Sequence, residues 1–207
     1  MTRELQLLGD WPTLVDEVVQ AAWGRRLVVL MDGGSGAGKT TVARRLHRDL
    51  EARLGTTQLV SLDDVYPGWH GLAAASELVW QSILRPASPG YPGWDWARDQ
   101  PSGWRGLDPQ LPIIVEGCGA ISRRSAPLAN VRIWYEMDAG QRRERALSRD
   151  GDGYRPWWDT WAAQEAAHWQ ANPLLDWTEM DIWAFITGQG LPYCPLYHQG
   201  YRSLSCM

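Results

Sequence analysis

The chain has 207 residues and a mass of 23.4 kDa, room for one large domain or one medium domain with an appendage. With 44% hydrophobic and 21% charged residues, the composition is that of a globular protein and excludes general disorder. A net charge of −4 argues against nucleic acid as a partner, and no apolar run reaches the ~18 residues of a membrane span. The start MTRELQLLGDW lacks the apolar stretch of a signal peptide, and three widely spaced cysteines, Cys118, Cys194 and Cys206, give no disulfide framework. Both features lead us to expect a cytoplasmic protein.

Leu14, Val15, Val18, Val19 and Ala22 recur at helical spacing, which predicts a helix over 12–23. Leu27 to Met31 is a continuous apolar run, suited to a strand buried on both faces of a parallel sheet. Val42, Leu46, Leu50 and Leu54 then mark a helix closed by Gly55. A second strand is expected over Gln58–Leu62, ending at Asp63 and Asp64. Residues 66–112 are rich in Gly, Pro and Trp, with a helical stretch near 73–84. Further strands are expected at Ile113–Val115, ending at Glu116, and at Val131–Tyr135. A very basic helix over 141–149 and another over 157–170 complete an alternating pattern. The pattern predicts an α/β fold with a mainly parallel sheet.

Between the first strand and its helix lies Gly33-Gly34-Ser35-Gly36-Ala37-Gly38-Lys39-Thr40, followed by Thr41. It matches G-x-x-x-x-G-K-[ST] without a mismatch and in the required strand–loop–helix context. The glycines let backbone N–H groups turn toward phosphate oxygens at a helix N-terminus. Lys39 is expected to bridge the β- and γ-phosphates of ATP, and the Thr40 hydroxyl to ligate Mg²⁺. Lys39 is also the only lysine among the chain's 20 basic residues, and the expected role explains it, since a broad guanidinium would not fit inside the loop.

No N-K-x-D motif for guanine occurs. Instead Val60-Ser61-Leu62-Asp63-Asp64-Val65-Tyr66, Val115-Glu116-Gly117 and Asp138-Ala139-Gly140 with Arg142, Arg143, Arg145 and Arg149 resemble the uridine kinase-like P-loop kinases over residues 25–170. The resemblance implies a P-loop NTPase three-layer sandwich. It makes Asp63 the carboxylate that orients and deprotonates the acceptor hydroxyl, with Asp64 next to it. It sets Glu116 beside Mg²⁺ to hold its waters, and Arg145 and Arg149 in a lid over the transferring phosphoryl group. It also puts Tyr66, Trp94, Asp95 and Trp96 where these kinases bind the acceptor, the indoles stacking on a ring and Asp95 bonding hydroxyls.

The fifth strand of that pattern is missing after Gln170. Residues 172–207 instead resemble a segment near the C-terminus of the phosphoadenosine-phosphosulfate reductase and sulfate adenylyltransferase small-subunit group. The S-G-G-x-D-S nucleotide loop of that group is absent. The expected organisation is therefore a kinase-like domain over 1–171 with a short helical appendage, inert in itself, over 172–207. The expected activity is an ATP- and Mg²⁺-dependent transfer of phosphate to a small hydroxylated acceptor, a nucleoside such as uridine first. The alternatives are a nucleotide-binding protein without transfer activity and a sulfonucleotide-binding protein.

Overall fold

Four short apolar runs become the strands of one parallel sheet because alternate side chains of each have a helical layer to bury against. A computed structural model describes residues 11–22 and 24–170. The chain divides into two units at 172/173, and the described residues all belong to the first. The expectations for 172–207 lie outside the described residues.

The sheet strands are β1 (Val28–Asp32), β2 (Gln58–Ser61), β5 (Ile113–Glu116) and β6 (Val131–Trp134), in the order β2-β5-β1-β6 and all parallel. Every residue of β1 and β5, the two inner strands, is buried. On one face Leu30, Val60, Ile113 and Val115 pack with α3 (Leu72–Leu78) and with Trp158 and Trp161 of α5 (Trp158–Gln170). On the other, Val29, Met31 and Ile114 pack against Trp11, Val15 and Val18 of α1 (Trp11–Gln20) and Ala43, Leu46 and Leu50 of α2 (Lys39–Leu54). The result is the expected three-layer sandwich.

The remaining helix, α4 (Ala139–Tyr154), starts at Asp138, whose carboxylate accepts from the amides of Gly140 and Gln141 at 3.0 and 3.1 Å. It breaks at Gly151, with φ 56° and ψ −136°, and a 3₁₀ turn over Arg155–Trp157 leads into α5. The helical stretch near 73–84 is α3 continued by a π-helical turn, Val79–Ile83.

The Gly/Pro/Trp-rich region also holds an antiparallel hairpin that the sequence did not signal, β3 (Gly90–Asp95) with β4 (Gln100–Gly106). Its strands lack a hydrophobic alternation, since β4 is exposed along its whole length and Pro92 interrupts β3.

The chain runs from β1 out to β2 and back to β5, then crosses to β6 on the far side of β1. The connections after β1 and β5 therefore leave in opposite directions, which opens a crevice at their carboxyl ends. The glycine-rich loop sits there. Among the described residues, no helix is long and apolar enough to cross a membrane.

Candidate active site at the glycine-rich loop

Asp32, the last residue of β1, ties the two sides of the crevice together. Its fully buried carboxylate accepts from the amides of Gly33 at 2.7 Å, Gly119 at 3.1 Å and Ile121 at 2.8 Å. Burial pushes its pKa up, and those amides together with Lys39 pull the other way. The loop then turns through positive φ at Gly33, Gly36 and Gly38. A Cβ on Gly36 would lie 2.1 Å from the Arg142 carbonyl oxygen, so the start of α4 is docked directly on the loop.

Lys39 is buried, and its ammonium donates to the carbonyls of Gly33 at 2.8 Å and Gly34 at 2.9 Å. The Cys118 sulfur lies 3.4 Å away. Burial works to lower the Lys39 pKa, but Cys118 with the carboxylates of Asp32, Glu116 and Glu165 overrules it and holds the pKa up. Lys39 therefore also serves the fold, a role its sequence position does not suggest.

Thr40 and Glu116, expected at the metal, touch one another. The Thr40 hydroxyl donates to Glu116 Oε1 at 3.0 Å, and the Ser61 hydroxyl donates to the same oxygen at 2.7 Å. Burial raises the Glu116 pKa against those two hydrogen bonds. One hydroxyl and one carboxylate beside the glycine-rich loop fit Mg²⁺, which takes few protein ligands and keeps waters.

Asp63 stands at the end of β2 in a 3₁₀ turn, its side chain open to solvent. Lys39 and Arg149 are the cations that act on its carboxylate. The Trp96 indole donates to the Asp63 carbonyl at 2.7 Å, so the hairpin braces this turn. Asp64 is used differently, as an exposed ion pair with Arg105 of β4 at 2.8 Å.

The residues expected at the acceptor divide. Trp96 is partly exposed beside Asp63, its ring 4.8 Å from that of Trp69. Trp69 in turn stacks on Tyr154 at 5.3 Å and on Trp157 at 5.7 Å. Trp94 is half-buried, and its indole nitrogen is the one buried side-chain polar atom without a partner among the described residues. The structure does not leave Tyr66 and Asp95 open as expected. Tyr66 is fully enclosed, with its hydroxyl donating to the Cys118 carbonyl at 2.9 Å. The Asp95 carboxylate is spent on the hairpin turn, accepting from the amides of Ala97 and Arg98 at 3.0 and 3.2 Å and from the Arg98 guanidinium at 3.1 Å.

Arg145 and Arg149 line a cleft of about 710 Å³ with Gly36, Gly38 and Thr41. Arg149 chelates its neighbour Asp150 at 2.8 and 2.6 Å, and Arg145 lies 3.3 Å from the Met137 sulfur. Arg142 reaches deeper. It donates to the Ser35 carbonyl at 3.1 Å and pairs with Glu165 of α5 at 3.1 Å.

Glu165 was not among the site residues expected from sequence, although a signal was present. Trp158, Trp161, Glu165 and His168 fall at i, i+3, i+7 and i+10, which sets a carboxylate on the buried stripe of α5. A charge there requires a built partner, and the partners are Arg142, Cys118 and the Ser35 amide.

In fold and in sequence the chain is similar to different proteins. In fold, the chain is similar to the structure of a possible uridine kinase from Bacillus stearothermophilus, with a TM-score of 0.50 and 17% identity over 79% of this chain and 97% of that one. It is equally similar to a putative fructose transport system kinase from Silicibacter sp. TM1040, with a TM-score of 0.51 and 20% identity over 82% and 90% of the two chains. In sequence, the phosphoadenosine phosphosulfate reductase domain model matches residues 130–207. Adenosine 5'-phosphosulfate reductase of Allochromatium vinosum is 39% identical over 38% of this chain and 28% of its own length. That of Neisseria meningitidis serogroup B is 37% identical over 41% and 32%. The chain thus spans about three-tenths of the length of these curated relatives.

The reductase match reaches back well before 172. It begins at Asn130, whose amide donates to the Val28 carbonyl at 3.0 Å and whose side-chain oxygen accepts from the Val28 amide at 2.7 Å. Its first part is therefore β6, α4 and α5, built into the same sheet and loop as the rest. The described unit has the fold of the P-loop kinases, and its last strand and two last helices also carry the reductase-like sequence.

Proposed function

We propose that the protein is an ATP- and Mg²⁺-dependent phosphotransferase that moves the γ-phosphate to a hydroxyl of a small acceptor, a nucleoside such as uridine first. The observation that carries this reading is the meeting of Lys39, Thr40 and Glu116 at the switch point of the sheet, with Asp63 at the end of β2. Amides of the loop beyond Gly33, whose own amide is held by Asp32, bind the phosphates. Lys39 turns from the loop carbonyls to the β- and γ-phosphates, while Arg145 and Arg149 face the nucleotide from the cleft wall. Thr40 would ligate Mg²⁺ and Glu116 would hold its waters, and the metal would supply neutralisation of phosphate charge. Asp63 takes the proton of the acceptor hydroxyl as that oxygen bonds to the γ-phosphorus. The bond from the γ-phosphorus to the bridging oxygen breaks, and ADP leaves. The test is ADP release with MgATP against a panel of nucleosides and sugars. Release that depends on one acceptor and disappears in Lys39→Ala supports the reading; acceptor-independent release, or nucleotide binding without release, favours the binding protein without transfer activity.

A second reading, a sulfonucleotide-binding protein, is favoured by the reductase match over 130–207 and opposed by the missing S-G-G-x-D-S loop. Adenosine 5'-phosphosulfate titrated calorimetrically into the full chain separates the two.

A further inference from the structure

All three polar groups of Ser35 in the glycine-rich loop are gripped by α4 and α5. Its amide donates to Glu165 Oε1 at 2.6 Å, its carbonyl accepts from Arg142 at 3.1 Å, and its hydroxyl accepts from Tyr154 at 2.9 Å. Glu165 is only 2% exposed, and its second oxygen is paired with Arg142. The short bond from a loop amide to a carboxylate is the contact such a loop makes with an anion. We infer that Glu165 is an internal anion seated in the phosphate subsite, so that nucleotide phosphate and the docked Glu165 exclude one another.

The inference rests on the proposed nucleotide site and adds an autoinhibitory contact to it. One amide cannot serve two anions, and a phosphate oxygen beside the carboxylate would meet like charge in a buried setting. The same closed arrangement turns Lys39 onto the carbonyls of Gly33 and Gly34. Entry of nucleotide therefore requires α5 to draw Glu165 out of the loop. That withdrawal breaks the pair between Glu165 and Arg142, whose guanidinium sits over Gly34 so closely that a Cβ there would lie 2.0 Å from its nitrogen.

The test measures MgATP and inorganic pyrophosphate binding calorimetrically in the parent and in Glu165→Gln, with hydrogen exchange of the parent's 158–170 peptide as a second readout. The amide keeps the shape and an acceptor oxygen but removes the charge, so Glu165→Gln should bind both ligands about 5- to 10-fold more tightly. In the parent, saturating MgATP should speed exchange across α5. Affinity unchanged or weakened in a folded Glu165→Gln overturns the inference. So does exchange in α5 that is unchanged or slowed, and that measurement decides alone if the variant does not fold. Equal binding by parent and variant sinks this inference and leaves the proposed function standing; no binding of either ligand by either protein sinks both.

Discussion

Replacing Lys39 by methionine separates its charge from its stem. Methionine keeps an unbranched apolar chain in the same pocket but loses the ammonium that donates to Gly33 and Gly34. Hydrogen bonds made by a charged group are worth about 1.5–3 kcal/mol each. Release of the ammonium's own desolvation penalty offsets part of that, leaving an expected loss of about 2–4 kcal/mol. At ~2–4 °C per kcal/mol for a unit of this size, the melting temperature should fall by roughly 5–15 °C at pH 8. The pH dependence has a definite sign. Asp32 and Glu116 have pKa values raised by burial, so each takes up protons on folding. The stability they permit is highest below the unfolded carboxylate range near ~4 and falls as pH rises through the folded values. Without Lys39 those values climb further and the fall is deeper. The gap between parent and Lys39→Met should be smaller at pH 5 than at pH 8, read by circular dichroism melts at both. No gap at pH 8, or the same gap at both, refutes the reasoning.

Asp63→Asn should slow phosphoryl transfer by ~10²–10⁴ while the calorimetric Kd for MgATP stays near the parent's, as expected for loss of a general base. Asp64→Asn, which loses only the exposed pair with Arg105, should change the rate far less; the reverse order identifies Asp64 as the base. Gly36→Ala should lower the melting temperature more than Gly34→Ala. At Gly36 the φ is +80° and the new Cβ meets the backbone oxygen of Arg142, whereas at Gly34 it meets the flexible end of that side chain; a left-handed φ alone costs ~1–2 kcal/mol. Trp96→Phe should keep the contact with Trp69 but lose the hydrogen bond to the Asp63 carbonyl, costing ~0.5–1.5 kcal/mol in a thermal melt and lowering the transfer rate. A rate equal to the parent's would show that the hairpin does not set the Asp63 turn.

The layers and the loop were legible because their signals are local. Apolar runs at Val28–Met31 and Ile113–Val115 can only be strands buried on both faces, and a G-x-x-x-x-G-K-[ST] loop between strand and helix has one common use. The hairpin was not legible, because Gly90, Gly93, Gly103 and Gly106 with Pro92 read as loop and β4 buries nothing. The site was legible only where chemistry sits within a few residues of the loop or at a strand end. Tyr66 and Asp95 look like free polar groups in sequence, yet their partners are Cys118, far along the chain, and a turn that periodicity does not reveal. Glu165 contacts Ser35 across 130 positions, and such a pairing is a property of the folded sheet rather than of either segment.

The burial of Lys39 has a chemical consequence beyond phosphate. It is the only lysine in the sequence and is 7% exposed, so lysine-directed reagents find a single ε-amine, and that amine is held shut by two carbonyls. The labelling rate at Lys39 thereby becomes a reporter of loop opening, free of any background from surface lysines. A dye, an acetyl group or a conjugated tag attached through lysine would mark molecules whose loop had opened, and would hold their phosphate site out of use.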